Sequence, residues 1–245
     1  MLPDQTHEAV GRGGYVAIGD SLTQGYGDPV AGERSCSWTD WVARGLAERD
    51  LRLRGPQERG PRSLGGQEQD TGQPGPAPAY RNLGQVGTST RDLLYGQLPR
   101  ALAYQPVLVT VTSGANDLLD PRWSASGFRR DLVAVLERLV EAGAVAVAVT
   151  YPFAAEAIAA PGRPPNVWEP VLRGLPQVNE VIREASSEVG ARLLDFETVL
   201  AAGGSASGPP ATMSSDLVHP NARGYRLLGA WALPRVAAWL APKPG

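Results

Sequence analysis

The sequence predicts an α/β fold, a single domain in which a parallel sheet is sandwiched between helices as three layers, α/β/α. Three observations carry this. Short apolar runs alternate with segments of helical period along the whole chain, an order that calls for a parallel sheet covered on both faces. Two of those runs, Val107-Leu108-Val109-Thr110-Val111-Thr112 and Ala144–Thr150, are almost continuously apolar or β-branched, as strands buried on both faces are. The 245 residues, 42% of them hydrophobic, suffice for one well-cored domain.

Taken in order, residues 1–13 are a polar lead-in and the domain occupies 14–245. Tyr15–Gly19 is the first strand, and Gly11-Arg12-Gly13-Gly14 lies ahead of it, on the wrong side for a dinucleotide loop. A helix is expected from about Ser37, its cap, to Asp50, with Trp38, Trp41, Val42 and Leu46 on one face. Residues 52–79, rich in Arg, Gly, Gln and Pro, read as a long surface loop. Tyr80-Arg81-Asn82-Leu83 is the second strand, and Thr88 or Ser89 caps a short helix running towards Tyr104. After the third strand a helix from about Ser126 to Ala142 turns Phe128, Leu132, Val135, Leu136 and Leu139 inward. Proline-rich residues 152–170 read as a loop and Pro176–Val189 as a helix. Arg192–Phe196 is the fifth strand, 203–215 a loop, and Pro220–Leu240 the last helix, broken or kinked at Pro234.

Composition excludes several function classes. A net charge of −2 and a pI near 5.8 give no basic field for nucleic acid. Cys36 is the sole cysteine, which rules out an intrachain disulfide and a thiolate metal cluster, and two histidines make no His-rich metal site. The N-terminal residues lack the basic start and apolar run of a secretory signal, and the most apolar segment, Ala142–Thr150, is too short to span a bilayer. The expectation is a cytoplasmic protein without integral membrane association, monomeric or weakly associating.

The polar residues at strand ends carry the chemistry. In an open parallel sheet the loops after the strands leave from one carboxyl edge, so segments distant in sequence converge there. Those loops hold Ser21 after the first strand, Gly84 and Gly87 after the second, Asn116 after the third, and Asp216-Leu217-Val218-His219 after the fifth. This set fits acyl transfer. A serine needs a base, and His219 is the histidine placed to serve, because His7 lies in the lead-in. Asp216, three residues earlier, reaches the second ring nitrogen in a tight turn. The backbone N–H groups of Ser21 and Gly87 and the amide of Asn116 are candidate donors to an oxyanion. Asp20 and Asp117 read as structural. Taken alone, Ser21 reads as a helix cap rather than as a nucleophile. No G-x-S-x-G elbow and no phosphate-binding P-loop is present.

Gly19-Asp20-Ser21-Leu22, Asn82-Leu83-Gly84-Gln85-Val86-Gly87, Gly114-Ala115-Asn116-Asp117 and Asp216-Leu217-Val218-His219 together resemble the four ordered blocks of the SGNH hydrolases, or GDSL esterases/lipases, from residue 15 to about 226. The resemblance implies a flavodoxin-like sheet of five parallel strands. It also implies hydrolysis of carboxylic esters through an acyl-enzyme, with Ser21 as nucleophile, His219 as base, Asp216 orienting it, and Ser21, Gly87 and Asn116 as the oxyanion hole. Neither metal nor cofactor is implied; the partner is a small-molecule ester, whether acyl ester, lipid, lysophospholipid or acetylated sugar. Two positions depart from the family pattern: Val86 stands where a small residue is usual, leaving Gly84 or Gly87 as the glycine donor with Gly87 preferred, and Leu217 stands where glycine is common. The competing reading, an inactive relative binding lipid or carbohydrate, would be marked by loss of Ser21, His219 or a donor, and none is missing. Loops 23–36, 118–126 and 152–170 shape the pocket, with Trp123, Phe153 and Trp168 as candidate lining residues.

Overall fold

A computed structural model describes residues 13–49, 80–152, 168–197, 199–200 and 211–241. Five strands form one parallel sheet, β1 (Tyr15–Gly19), β2 (Tyr80–Asn82), β3 (Leu108–Thr112), β4 (Val145–Val149) and β5 (Arg192–Leu194), in the order β2-β1-β3-β4-β5. β1 and β3 are fully buried and pair along their whole length, from Tyr15 against Leu108 to Gly19 against Thr112. From β1 the chain goes first to one side, β2, and then to the other, β3. The switch point therefore falls between β1 and β3, where loops diverge at the carboxyl edge and leave a crevice.

The short α1 (Ser21–Gln24) follows β1, and α2 (Trp38–Glu48) begins at the capping box of Ser37 and Asp40. Helix α3 runs through Thr90–Asp92, a π-turn over Leu93–Gln97, and Leu98–Ala103; Ser89 is its cap. A 3-10 turn, Asn116–Leu119, which the sequence does not signal, precedes α4 (Ala125–Glu141). Helices α5 (Glu169–Val189) and α6 (Ala222–Leu240) complete the layers, with α2 packed on α6 and α4 on α5. Trp38, Phe196 and Trp231 stack edge to face beside the α2–α6 seam. Among the described residues no helix is long and apolar enough to cross a membrane.

Several boundaries differ from the sequence reading. Helix α5 starts at Glu169, not Pro176, which lies inside it; Pro170 fills the first-turn position where a missing N–H costs nothing. Pro220 stays outside α6, in an antiparallel bridge with Met213, while Asn221 is the cap and Pro234 sits within an unbroken helical span. β5 ends at Leu194, because the next residue, Asp195, turns to take hydrogen bonds from Thr150 and Arg183. Gly13 is not part of a loose lead-in: its N–H donates to the Tyr104 carbonyl. The expected lead-in up to residue 12, the 52–79 loop, Phe153 and most of the 203–215 loop lie outside the described residues.

The α2–α6 seam needs close approach. A Cβ on Gly229 would lie 2.4 Å from that of Trp41 and 3.0 Å from the Trp38 carbonyl oxygen. Gly229→Ala gains about 1 kcal/mol in helix propensity but overpacks this contact, a cost of about 1–3 kcal/mol. A lower urea midpoint is the expected result, and a raised one would show that the seam yields freely.

Candidate active site

The first strand delivers its serine through a short capped turn. Asp20 caps α1 by accepting from the Leu22 N–H at 3.0 Å, and Gly25 closes it in the left-handed conformation. Ser21, the first residue of that turn, is 9% exposed, and its Oγ lies 2.8 Å from His219 Nε2. His219 Nδ1 lies 2.6 Å from Asp216 Oδ2. The other carboxylate oxygen of Asp216 accepts from the backbone N–H groups of Val218 and His219, both at 3.0 Å, so the turn wraps around its own acid. That wrapping places Leu217 at φ +62, the left-handed region that favours glycine, with its side chain buried. The histidine loop is tied to the serine loop by Asp28: its N–H donates to Ser214 Oγ, its carboxylate accepts from the Ser215 N–H, and its carbonyl accepts from the Ala222 N–H. Gly27 permits this approach, since a Cβ there would sit 2.1 Å from the Pro220 carbonyl oxygen.

Each of the three expected oxyanion donors keeps a hydrogen uncommitted among the described residues, and Asn116, though not Gly87, shares the cavity at Ser21. The Ser21 N–H is a first-turn group that donates to no described residue. Gly87, at φ +83, faces open space, and its N–H likewise donates to no described residue. Gly84 is differently placed: its N–H donates to Asn82 Oδ1 at 2.9 Å, and an added Cβ would lie 2.7 Å from the Gln24 nitrogen. Of the two glycines, Gly87 is thus the one with a free donor. Asn116 donates one amide hydrogen to the Thr88 carbonyl at 3.1 Å, which leaves the second for a ligand. Asp117 does what the sequence reading gave it: its carboxylate accepts from the N–H and hydroxyl of Thr90 at the start of α3.

A cavity of about 120 Å³ opens at Ser21 and is lined by Tyr26, Val86, Ala115, Asn116, Trp168, Val171, Val218 and His219. Ala115, Val171 and Val218 are buried and form its floor, whereas Tyr26 and Val86 are 54% and 47% exposed and form its rim. Tyr26 and Trp168 also stand edge-on to the imidazole, with centroids at 4.9 and 6.0 Å. Trp168 was expected in the lining; Trp123 was too, but it packs against the core instead. Tyr26 belongs to the 23–36 loop expected at the pocket, whereas Val86, Val171 and Val218 are not signalled, although Val86 and Val218 adjoin motif residues in the sequence.

Two acids near the serine are held in opposite directions. Burial raises the Asp20 carboxyl to about 6, although Tyr151, which donates to it at 2.5 Å, the Leu22 N–H and attraction to His219 pull the other way. Burial also opposes ionisation of Asp216, but the hydrogen bonds from the His219 ring and backbone outweigh it and hold this carboxyl below its ordinary value. Tyr151 is itself pinned at the end of β4: Asn179 on α5 accepts from its N–H at 2.7 Å and donates to its carbonyl at 2.9 Å.

A family model for the GDSL-like Lipase/Acylhydrolase family matches residues 17–227. No curated protein matches the chain. Among solved structures, a lipase/acylhydrolase from Enterococcus faecalis is 22% identical with a TM-score of 0.62, covering 95% of this chain and 100% of its own. A catalytic mutant of an acetylxylan esterase from Geobacillus stearothermophilus is 17% identical with a TM-score of 0.63, covering 94% and 96%. An α/β hydrolase enzyme from the metagenome of Lake Arreo is 17% identical with a TM-score of 0.62, covering 95% and 98%. At these identities the solved structures establish the shared fold.

The Asp20 environment has a measurable consequence. A carboxyl held at about 6 when folded, against an ordinary 3.8, favours the folded state while it is protonated. Its contribution is full below the lower value and is gone once pH has risen past the upper one. Between pH 4 and pH 7 the native chain should therefore lose about 2 kcal/mol of unfolding free energy relative to Asp20→Asn. Urea titrations of both proteins at pH 4, 5, 6 and 7 measure this, and parallel pH profiles would refute it.

Proposed function

Because the chain belongs to the GDSL-like Lipase/Acylhydrolase family, we propose that it is a serine hydrolase that cleaves carboxylic esters carrying a short acyl group. The observation that carries the reading is the continuous chain from Ser21 Oγ through His219 to Asp216, at 2.8 and 2.6 Å. In this reading Ser21 Oγ attacks the ester carbonyl carbon while His219 Nε2 takes its proton. Asp216 holds the Nδ1–H tautomer and stabilises the imidazolium. The oxyanion of the tetrahedral intermediate is received by the Ser21 and Gly87 N–H groups and the free amide hydrogen of Asn116. The imidazolium then protonates the departing alcohol, and a water activated by the same histidine releases the acid.

Cavity size supports the limit on the acyl group. An engineered protein cavity of roughly 150 Å³ accommodates benzene. The about 120 Å³ at Ser21 therefore holds up to roughly five non-hydrogen atoms on that scale, which admits acetyl to butanoyl groups. Its apolar floor of Ala115, Val171 and Val218 offers no charged partner, so the acyl group is neutral. A larger alcohol lies across the exposed rim of Tyr26 and Val86. Acetylated sugars meet these conditions; long-chain lysophospholipids do not.

A panel of p-nitrophenyl esters with acyl chains of two to twelve carbons tests the reading. We expect kcat/KM to peak at two to four carbons and to fall about tenfold or more by eight, since forcing further methylenes against a filled cavity costs about 1–3 kcal/mol. A preference for octanoate would overturn the size limit. Ser21→Ala should lose about 10⁴-fold or more in kcat, and a variant as fast as the native chain would remove the serine mechanism. Asn116→Ala should lose about 10²–10³ in kcat with little change in KM.

A further inference from the structure

Gln97 is a buried polar residue that no part of the mechanism above uses, and its carboxamide makes three hydrogen bonds at the foot of the site. Its Oε1 accepts from the Gly19 N–H at 2.7 Å, its Nε2 donates to the Gly19 carbonyl at 2.9 Å, and the same Nε2 donates to Thr88 Oγ1 at 3.2 Å. β2 ends at Asn82 and pairs with β1 only as far as Ala17, so no strand faces Gly19 on that side. One carboxamide replaces the absent rung, because it presents a donor and an acceptor as a peptide group does.

The two residues it joins are the anchors of the three donors. Gly19 lies two residues before Ser21. Thr88 follows Gly87 directly, and its carbonyl accepts the amide of Asn116. Thr88 Oγ1 donates in turn to the Gln85 carbonyl, and the Gln85 N–H donates to the Gly19 carbonyl, which closes the ring of contacts. Gln97 does not line the cavity.

The sequence explains how α3 delivers this side chain. Pro99 has no N–H to give the Tyr95 carbonyl, and a proline ring crowds the carbonyl four residues before it. The helix widens ahead of it: the Leu98 N–H bonds back to the Leu93 carbonyl, five residues away. Leu93, Leu94 and Leu98 pack into the core around Gln97, while Tyr95 and Gly96 face outward. Isolated π-turns of this kind occur frequently at functional sites.

We infer that Gln97 is a positioning residue for the oxyanion hole, fixing the serine turn and the Gly87 loop at the spacing the three donors require. The inference rests on the proposed roles of Ser21, Gly87 and Asn116. Gln97→Met keeps length and burial but removes both polar atoms. It should lower kcat about 10- to 100-fold while KM stays within about threefold. The affinity for a short alkylboronic acid, which forms a tetrahedral adduct on the serine, should fall by the same factor as kcat/KM. Combined with Asn116→Ala, its effect should be far from additive, because both act on one constellation. Thr88→Val should lose several-fold in kcat and Thr88→Ser should restore it, which keeps the inference testable if Gln97→Met does not fold. Loss of ester hydrolysis in Ser21→Ala is the control for the underlying reading. With that control in place, an unchanged kcat in folded Gln97→Met, a loss confined to KM, strict additivity, or native rates in Thr88→Val would each overturn the role assigned to Gln97.

Discussion

Ser21 and His219 stand 198 positions apart in the chain, yet their side chains meet at 2.8 Å, and that contact sets the terms for much of the surrounding structure. A hydrogen bond of this length tolerates displacements of only a few tenths of an ångström, so both loops must be fixed independently and then fixed to each other. On the serine side the fixing comes from β1, buried at the middle of the sheet and paired with β3 to its last residue. On the histidine side it comes from the Met213–Pro220 bridge and the Asn221 cap of α6. Asp28 then joins the two loops with three hydrogen bonds, from its N–H, its carboxylate and its carbonyl.

Holding the serine in this way has a thermodynamic cost. Asp20 supplies the cap that shapes the serine turn, but it does so from a position with no solvent access, where an ionised carboxylate is penalised. Tyr151 and Asn179 offset part of that penalty and extend the network from β1 to β4 and α5. Stability is thus sacrificed locally and recovered from the apolar sheet and its helices, the distribution expected where a site is preorganised.

Much of the fold was legible because its strands are locally unambiguous. Continuous apolar runs such as 107–112 and 144–150 leave few alternatives, and Ser37 and Ser89 mark helix starts that the structure retains. Several of the differences fall on prolines. Pro176 and Pro220 have the sequence context of helix starts, yet one is interior and the other precedes a cap, since proline at a first turn and proline tolerated in a packed helix look alike in sequence. At the site, the residues that sequence singled out are those in short motifs at strand ends. Gln97, Tyr151, Asn179 and Asp28 act through contacts with residues 78, 131, 28 and 186 positions away, and no local pattern announces such pairings. Gln97 had one overlooked signal, the Leu98-Pro99 step in the middle of a helical segment.

Leu217 shows how one turn can be stabilised in two unlike ways. The Asp216–His219 turn requires a residue at φ +62, and glycine meets that requirement through backbone freedom alone. Leucine meets it at a conformational cost of about 1–2 kcal/mol and offsets that cost by burying a large apolar side chain, which is 7% exposed. A serine or an alanine at 217 would keep the backbone cost and forfeit most of the burial. The hinge between Asp216 and His219 is therefore held by a buried side chain as well as by the backbone hydrogen bonds that close the turn.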